Sequence, residues 1–142
     1  MNACVILAAG IGKRMNSSLP KVLHKVCGIP MLQRVVDTAR KLNTGRIVVV
    51  TGKHGDLIQE TLPSPDISYV SQTEPKGTGH ALMCARHALK DFKSVLIVLN
   101  GDTPLISAGT LKKFLQMHLR NKNSLSVLSF LAENPDDYGR IV

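Results

Sequence analysis

The chain begins with a run in which every position is apolar, Ala3-Cys4-Val5-Ile6-Leu7-Ala8-Ala9, closed by Gly10. A strand with one wet face alternates apolar and polar residues. An unbroken run predicts a strand buried on both faces, the habit of parallel sheets. The period then changes. Over residues 31–42, Met31, Leu32, Val35, Val36, Ala39 and Leu42 recur every three or four positions, which predicts an amphipathic helix. Pro30 suits the first turn of that helix. Residues 46–51 form a second buried strand stopped at Gly52, and residues 56–62 a short helix stopped by Pro63. A short strand at 67–70 precedes a helix over 78–89, with Thr78 as its N-cap. A strongly apolar strand at 94–100 leads to a helix over 107–119 opened by Ser107, and 125–131 is the last clear strand. Gly139 and its β-prone neighbours over 138–142 suggest the start of another.

Strands and helices that alternate at this spacing predict an α/β fold: a doubly wound, mainly parallel sheet of Rossmann-like type. No repeat, low-complexity tract or linker divides the 142 residues, a length suited to one domain. Because strand-prone residues continue to Val142, the sheet is expected to be incomplete at its C-terminal end.

Composition sharpens this. With 44% hydrophobic and 20% charged residues the chain can fill a core. The net charge of +8 is unevenly placed: residues 1–54 hold nine basic residues and one acidic residue, Asp37, whereas 55–142 hold nine of each sign. An anionic partner near the N-terminal third follows, whether phosphate, nucleic acid or membrane surface. No apolar run reaches the ~18 residues of a membrane span, and the N-terminus lacks the basic flank of a signal peptide. Cys4, Cys27 and Cys84, an odd number with no CxxC spacing, read as reduced and mostly buried thiols of a cytoplasmic protein. The absence of Trp disfavours base-stacking single-strand binding.

Four segments follow strands, where open α/β sheets bind ligands. In Leu7-Ala8-Ala9-Gly10-Ile11-Gly12-Lys13-Arg14-Met15 the two glycines let backbone N–H groups approach an anion, and Lys13 and Arg14 add charge. It is neither a Walker A loop nor a dinucleotide fingerprint; alone it also fits a tight turn with solvated cations. Lys21, pinned behind Pro20, suits a point contact to phosphate or a surface position. Gln72 carries both donor and acceptor for a base edge, and Gly77, Thr78, Gly79 and His80 open a helix where a ligand can lie. His80 reads as a structural polar residue or a catalyst. Asp102, in Asn100-Gly101-Asp102-Thr103-Pro104, sits where a Mg²⁺ ligand of phosphoryl chemistry is expected and where an ordinary turn aspartate also occurs. Together the four describe a nucleotide site with a metal.

The residues LAAGIGKRM (7–15), PKVLHKVCGIPML (20–32), Gln72, GTGHAL (77–82), NGDTPL (100–105) and YGRIV (138–142) come in order. They resemble the N-terminal uridyltransferase domain of bacterial N-acetylglucosamine-1-phosphate uridyltransferases over essentially the whole chain. Lys13 stands where that family commonly has threonine. The resemblance implies transfer of UMP from UTP to N-acetylglucosamine 1-phosphate with Mg²⁺, a step of cell-envelope precursor synthesis. It implies that Leu7, Ala8, Ala9 and Gly10 line the uridine and phosphate site, and that Arg14 and Lys21 stabilise the triphosphate and the transition state. Gln72, Gly77 and Thr78 would contact uracil, Asn100 and Gly101 the ribose, Asp102 the metal, and Gly139 the sugar. It also implies that residues 1–142 are the nucleotide-binding part, with the sugar-binding half, a β-helix acetyltransferase domain and most trimer contacts absent. An exposed sheet edge would then favour self-association. Two other readings stay open: a guanylyl- or cytidylyltransferase, and a non-catalytic basic binding module.

Overall fold

A computed structural model describes residues 1–10, 12–134 and 139. The chain divides into two units, Met1–Ala108 and Gly109–Val142. The first unit opens with β1 (Asn2–Ala8), followed by two single 3₁₀ turns, Lys13–Met15 and Lys21–Leu23. A small antiparallel hairpin, β2 (Lys25–Val26) and β3 (Ile29–Pro30), leads into α1 (Met31–Arg40). Then come β4 (Thr44–Thr51), α2 (Gly55–Thr61), β5 (Ile67–Ser71), α3 (Thr78–Cys84), a 3₁₀ turn at His87–Leu89 and β6 (Leu96–Asn100). α4 (Ala108–Arg120) begins at the boundary with the second unit.

The sheet has the order β5-β4-β1-β6 and every pairing is parallel. β1 therefore has a strand on each side and a covered face above and below, as its unbroken apolar run requires. On one face Val5 joins Val48 and Val50 of β4, Ala81 of α3 and Ala85 at that helix's C-cap in a buried cluster. Its neighbours Cys4 and Ile6 point the other way, toward α1, which buries Leu32, Val35, Val36 and Ala39. Helices on both faces make the sheet doubly wound. The chain builds outward from β1 through β4 to β5, then returns past β1 to place β6 on its far side.

The hairpin escaped the sequence pattern because its strands are two residues each. Cys27 (φ 49°) and Gly28 (φ 79°) both have positive φ, the two-residue turn whose twist suits a hairpin. Arg34 fastens it by donating from Nε and Nη2 to the Val26 carbonyl at 3.0 and 2.7 Å. Cys27 is thus exposed on the turn, unlike buried Cys4, whose thiol is pushed up to about 12 by burial.

Two expectations need correction. Gly77, not Thr78, is the N-cap of α3, and Thr78 is its first helical residue. The expected strand at 125–131 does not form: the segment has no ladder partner among the described residues. Strand propensity reports fit to a pleated, half-buried surface, and α4 offers no such surface. Within the second unit α4 stops at Arg120 and the chain turns off through Lys122 (φ 51°), with the Asn123 amide donating to the His118 carbonyl at 3.1 Å. Ser126 Oγ lies 2.9 Å from His118 Nδ1, while Leu125, Val127 and Leu131 stay exposed. The expected strand at 138–142 lies outside the described residues, apart from Gly139. Among the described residues no helix is long and apolar enough to cross a membrane.

Candidate active site

The reversal of strand order puts a crevice beyond the carboxyl ends of β1 and β6, the position where such sheets bind ligands. A cavity of about 570 Å³ occupies it, within the ordinary range for small-molecule sites. All its lining residues belong to the first unit.

The floor is the end of β1. Leu7, Ala8, Ala9 and Gly10 line it, and the space where a Gly10 side chain would stand is open. Gly12 has φ +65°, and a Cβ there would lie 2.8 Å from the Lys21 Cβ. Glycine is needed twice over: for the left-handed backbone, and because the loop rests against the root of Lys21. Arg14 sits in the 3₁₀ turn that follows and lines the cavity. Lys21 is held by its neighbours. Pro20, Val22 and Leu23 are buried, and the Leu23 amide donates to the Pro20 carbonyl at 2.9 Å. Only the far end of the lysine is left to reach across.

It reaches Asp102. Lys21 Nζ donates to Asp102 Oδ2 at 2.7 Å, joining residues 81 apart in sequence and closing the rim between the glycine loop and the end of β6. Asp102 Oδ1 accepts from no described residue. Asn100 lines the cavity beside it. Gly101 is not a lining residue: it is buried beneath, its amide donating to the Leu7 carbonyl at 2.8 Å. A Cβ on it would meet that carbonyl at 3.1 Å, so it seals β6 to β1 under the crevice.

The opposite wall comes from the β5–α3 connection. Gln72 is buried, and its amide NH₂ donates to the Gly77 carbonyl at 3.1 Å and meets His80 Nδ1 at 3.0 Å. Gly77 has φ 95° and ψ 176°, a conformation essentially reserved for glycine. Gly77 and Thr78 line the cavity, as do Ala81 of the same GTGHAL motif and Pro75, whose residue type alone gives no sign of a ligand role. Eleven of the predicted residues thus share one cavity: Leu7, Ala8, Ala9, Gly10, Arg14, Lys21, Gln72, Gly77, Thr78, Asn100 and Asp102. Gly139 is exposed and belongs to the second unit.

No group of three His, Cys, Asp or Glu side chains gathers among the described residues. Those residues therefore build no zinc-type cage. A single half-exposed carboxylate fits a hard divalent cation that keeps its waters and shares a phosphate ligand. Neither does the cavity pair a nucleophile with a base. Its chemistry is cations, backbone amides and one carboxylate, suited to holding and neutralising phosphates.

Residues 4–135 match the MobA-like NTP transferase domain, and the chain belongs to that family. The bifunctional protein GlmU of Clostridium beijerinckii is 46% identical over 138 residues, which are 97% of this chain and 30% of that protein. The chain thus spans about a third of the length of the curated relatives it matches, within their N-terminal portion. Among solved structures, a UDP-glucose pyrophosphorylase complexed with UDP-glucose superposes with TM-score 0.71 at 22% identity, over 86% of this chain and 54% of that one. HddC from Yersinia pseudotuberculosis, complexed with GMP-PN, gives TM-score 0.68 at 29% identity, over 84% and 55%.

Proposed function

Proceeding from that membership, we propose that the chain serves Mg²⁺-dependent transfer of UMP from UTP to N-acetylglucosamine 1-phosphate, yielding UDP-N-acetylglucosamine and pyrophosphate. Residues 1–142 act in it as the nucleotide-binding part. The observation that carries this reading is the convergence of two glycine turns, two cations, a buried amide and a carboxylate on one switch-point cavity. The identity to GlmU supports the choice of uridine nucleotide and amino sugar.

In this reaction an oxygen of the sugar 1-phosphate attacks the α-phosphorus of UTP in line. A new P–O bond forms as the bond to the β-phosphate oxygen breaks, and pyrophosphate leaves with the electron pair. No proton has to be removed from the attacking phosphate and no covalent enzyme intermediate is needed. The work left to the protein is orientation and charge neutralisation. Leu7 to Gly10 carry the nucleoside and the backbone approach to the phosphates. Arg14 and Lys21 neutralise the triphosphate and the charge that builds on the leaving pyrophosphate. Gln72, Gly77 and Thr78 read the base. Asn100 flanks the ribose above Gly101, and Gly139 is assigned to the sugar. A divalent cation held by Asp102 would offset phosphate charge.

The arginines argue against a basic binding module. Arg34 is fastened to a backbone carbonyl rather than solvated, and Arg40 makes ion pairs with Asp66 and Asp37. Calorimetry with UTP, CTP and GTP, each with Mg²⁺, tests the proposal together with pyrophosphate release in the presence of N-acetylglucosamine 1-phosphate. Preferential UTP binding supports it. GTP preference would move the assignment to a guanylyltransferase, and salt-sensitive RNA binding that survives Asp102→Ala would replace it by the binding module.

A further inference from the structure

Gln72 can read a base in two opposite ways, because its side chain ends in an acceptor oxygen and a donor nitrogen. Which end it offers is decided by what holds the other. The Gly77 carbonyl can only accept, so the atom 3.1 Å from it is the NH₂ group. That carbonyl also accepts from the Ala81 amide at 3.1 Å, which saturates it. One N–H of Gln72 is thereby used, and the second meets His80 Nδ1 at 3.0 Å. Nδ1 must then be the bare, accepting nitrogen of a neutral ring whose proton is on Nε2. With both N–H groups occupied, Oε1 is what remains, and it accepts from no described residue.

We propose that His80 is a positioning residue for base selection: by occupying the second N–H of Gln72 it leaves the pocket an acceptor only. This rests on the nucleotide-transfer reading above and deepens it. A carbonyl facing the Watson–Crick ring nitrogen is matched by the N3–H of uracil, and equally by the N1–H of guanine. Cytosine and adenine present a lone pair there, and two acceptors facing each other in a desolvated pocket repel. Without the His80 acceptor, one buried N–H of Gln72 is unoccupied and turns toward the ligand, where it suits cytosine. His80 touches neither the phosphates nor the reacting atoms in this scheme. Its effect is on which base binds, not on how fast the phosphoryl group moves.

The test compares UTP and CTP affinity, with Mg²⁺, for the wild type, His80→Leu and His80→Asn, alongside melting temperatures. Leucine fills the space without an acceptor, whereas asparagine Oδ1 takes the place of Nδ1. Removing one hydrogen bond to a buried amide is expected to lower the UTP-to-CTP preference about five- to tenfold in His80→Leu, with His80→Asn restoring it to within about twofold. An unchanged preference in a folded His80→Leu overturns the proposal. Wild type that binds nucleotides without favouring UTP over CTP overturns it while leaving nucleotidyl transfer intact. Wild type that binds no nucleotide removes the transfer reading and this inference with it. Should His80→Leu fail to fold, nitrogen NMR of the wild-type imidazole decides: the Nε2–H tautomer is required, and the Nδ1–H tautomer refutes the scheme.

Discussion

The Lys21–Asp102 pair allows function to be separated from stability. The side chains are 40% and 35% exposed and 2.7 Å apart. At that distance two unit charges in water attract by about 1.5 kcal/mol, and fixing a long lysine side chain offsets part of it. Exposed pairs accordingly contribute about 0.5 kcal/mol, rarely above ~1. For a chain of 142 residues the unfolding entropy is about 0.3 kcal/mol per degree. Lys21→Met or Asp102→Asn should therefore lower the melting temperature by only ~2 °C. Ligand binding should respond quite differently. A lysine on a triphosphate makes a charge-assisted hydrogen bond of about 1.5–3 kcal/mol, so Lys21→Met should weaken UTP·Mg²⁺ by roughly 10- to 150-fold. Asp102→Asn gives a sharper diagnostic. It removes a negative charge from the pocket and releases Lys21 from its partner, so UTP without metal should bind several-fold tighter, while Mg²⁺ should no longer help. Paired calorimetric titrations with Mg²⁺ and with a chelator, plus thermal melts, provide the measurements. A fall above ~5 °C for either variant, or Asp102→Asn that still gains affinity from Mg²⁺, would refute the reasoning.

Three further perturbations test the scaffold. Gly52→Ala places a Cβ 2.7 Å from the Ala9 carbonyl, where contact normally begins near ~3.4 Å. The collision should cost about 1–3 kcal/mol and displace the nucleotide loop, so UTP affinity and melting temperature should both fall; unchanged values would show that the turn yields freely. Ile6→Ala, at a fully buried position between the sheet and α1, should cost about 3–4 kcal/mol in a urea titration. A cost under ~1 kcal/mol would mean that α1 collapses into the gap. The Arg40 hydrogen bonds hold the Asp66 carboxyl below its usual value. Its contribution is therefore present above the unfolded-state pKa of Asp66 and is lost as pH falls through the folded one. Asp66→Asn should be slightly less stable than wild type at pH 7, by no more than ~1 kcal/mol. The two stabilities should converge in acid, and a gap that persists below both pKa values would contradict the ion pair.

Much of the fold is legible because parallel strands advertise themselves one at a time. The run Ala3–Ala9 needs no partner in view to be recognised as a strand covered on both faces, and α1 shows its buried stripe in its own spacing. Where an element depends on distant chain, that legibility fails. Residues 125–131 have the composition of a strand, yet a strand is defined by the ladder beside it, and none stands there among the described residues. The hairpin at Lys25–Pro30 fails in the opposite sense. Its strands are too short to show any period, and Arg34, eight residues past Val26, fastens it from a neighbouring helix.

The site follows the same division. Its parts were visible because turn chemistry is local: glycines, a proline-pinned lysine and an aspartate after an apolar strand each announce a loop at a strand end. What stayed hidden were the pairings that decide how those parts act. Lys21 and Asp102 meet across 81 residues only because the return crossover sets β6 against β1. Gly52 must be glycine because the register pairing Ala8 with Thr51 carries on one step, to Ala9. His80 looks like an ordinary helix residue until Gly77, at positive φ, turns the chain so that its ring faces Gln72. Each pairing is a consequence of sheet order or of one turn's geometry, and each fixes the charge, packing or hydrogen bonding of a residue that the sequence alone makes visible. A glutamine in such a loop therefore marks a candidate base-reading position, whereas the end it can offer a ligand depends on the neighbours that occupy its amide.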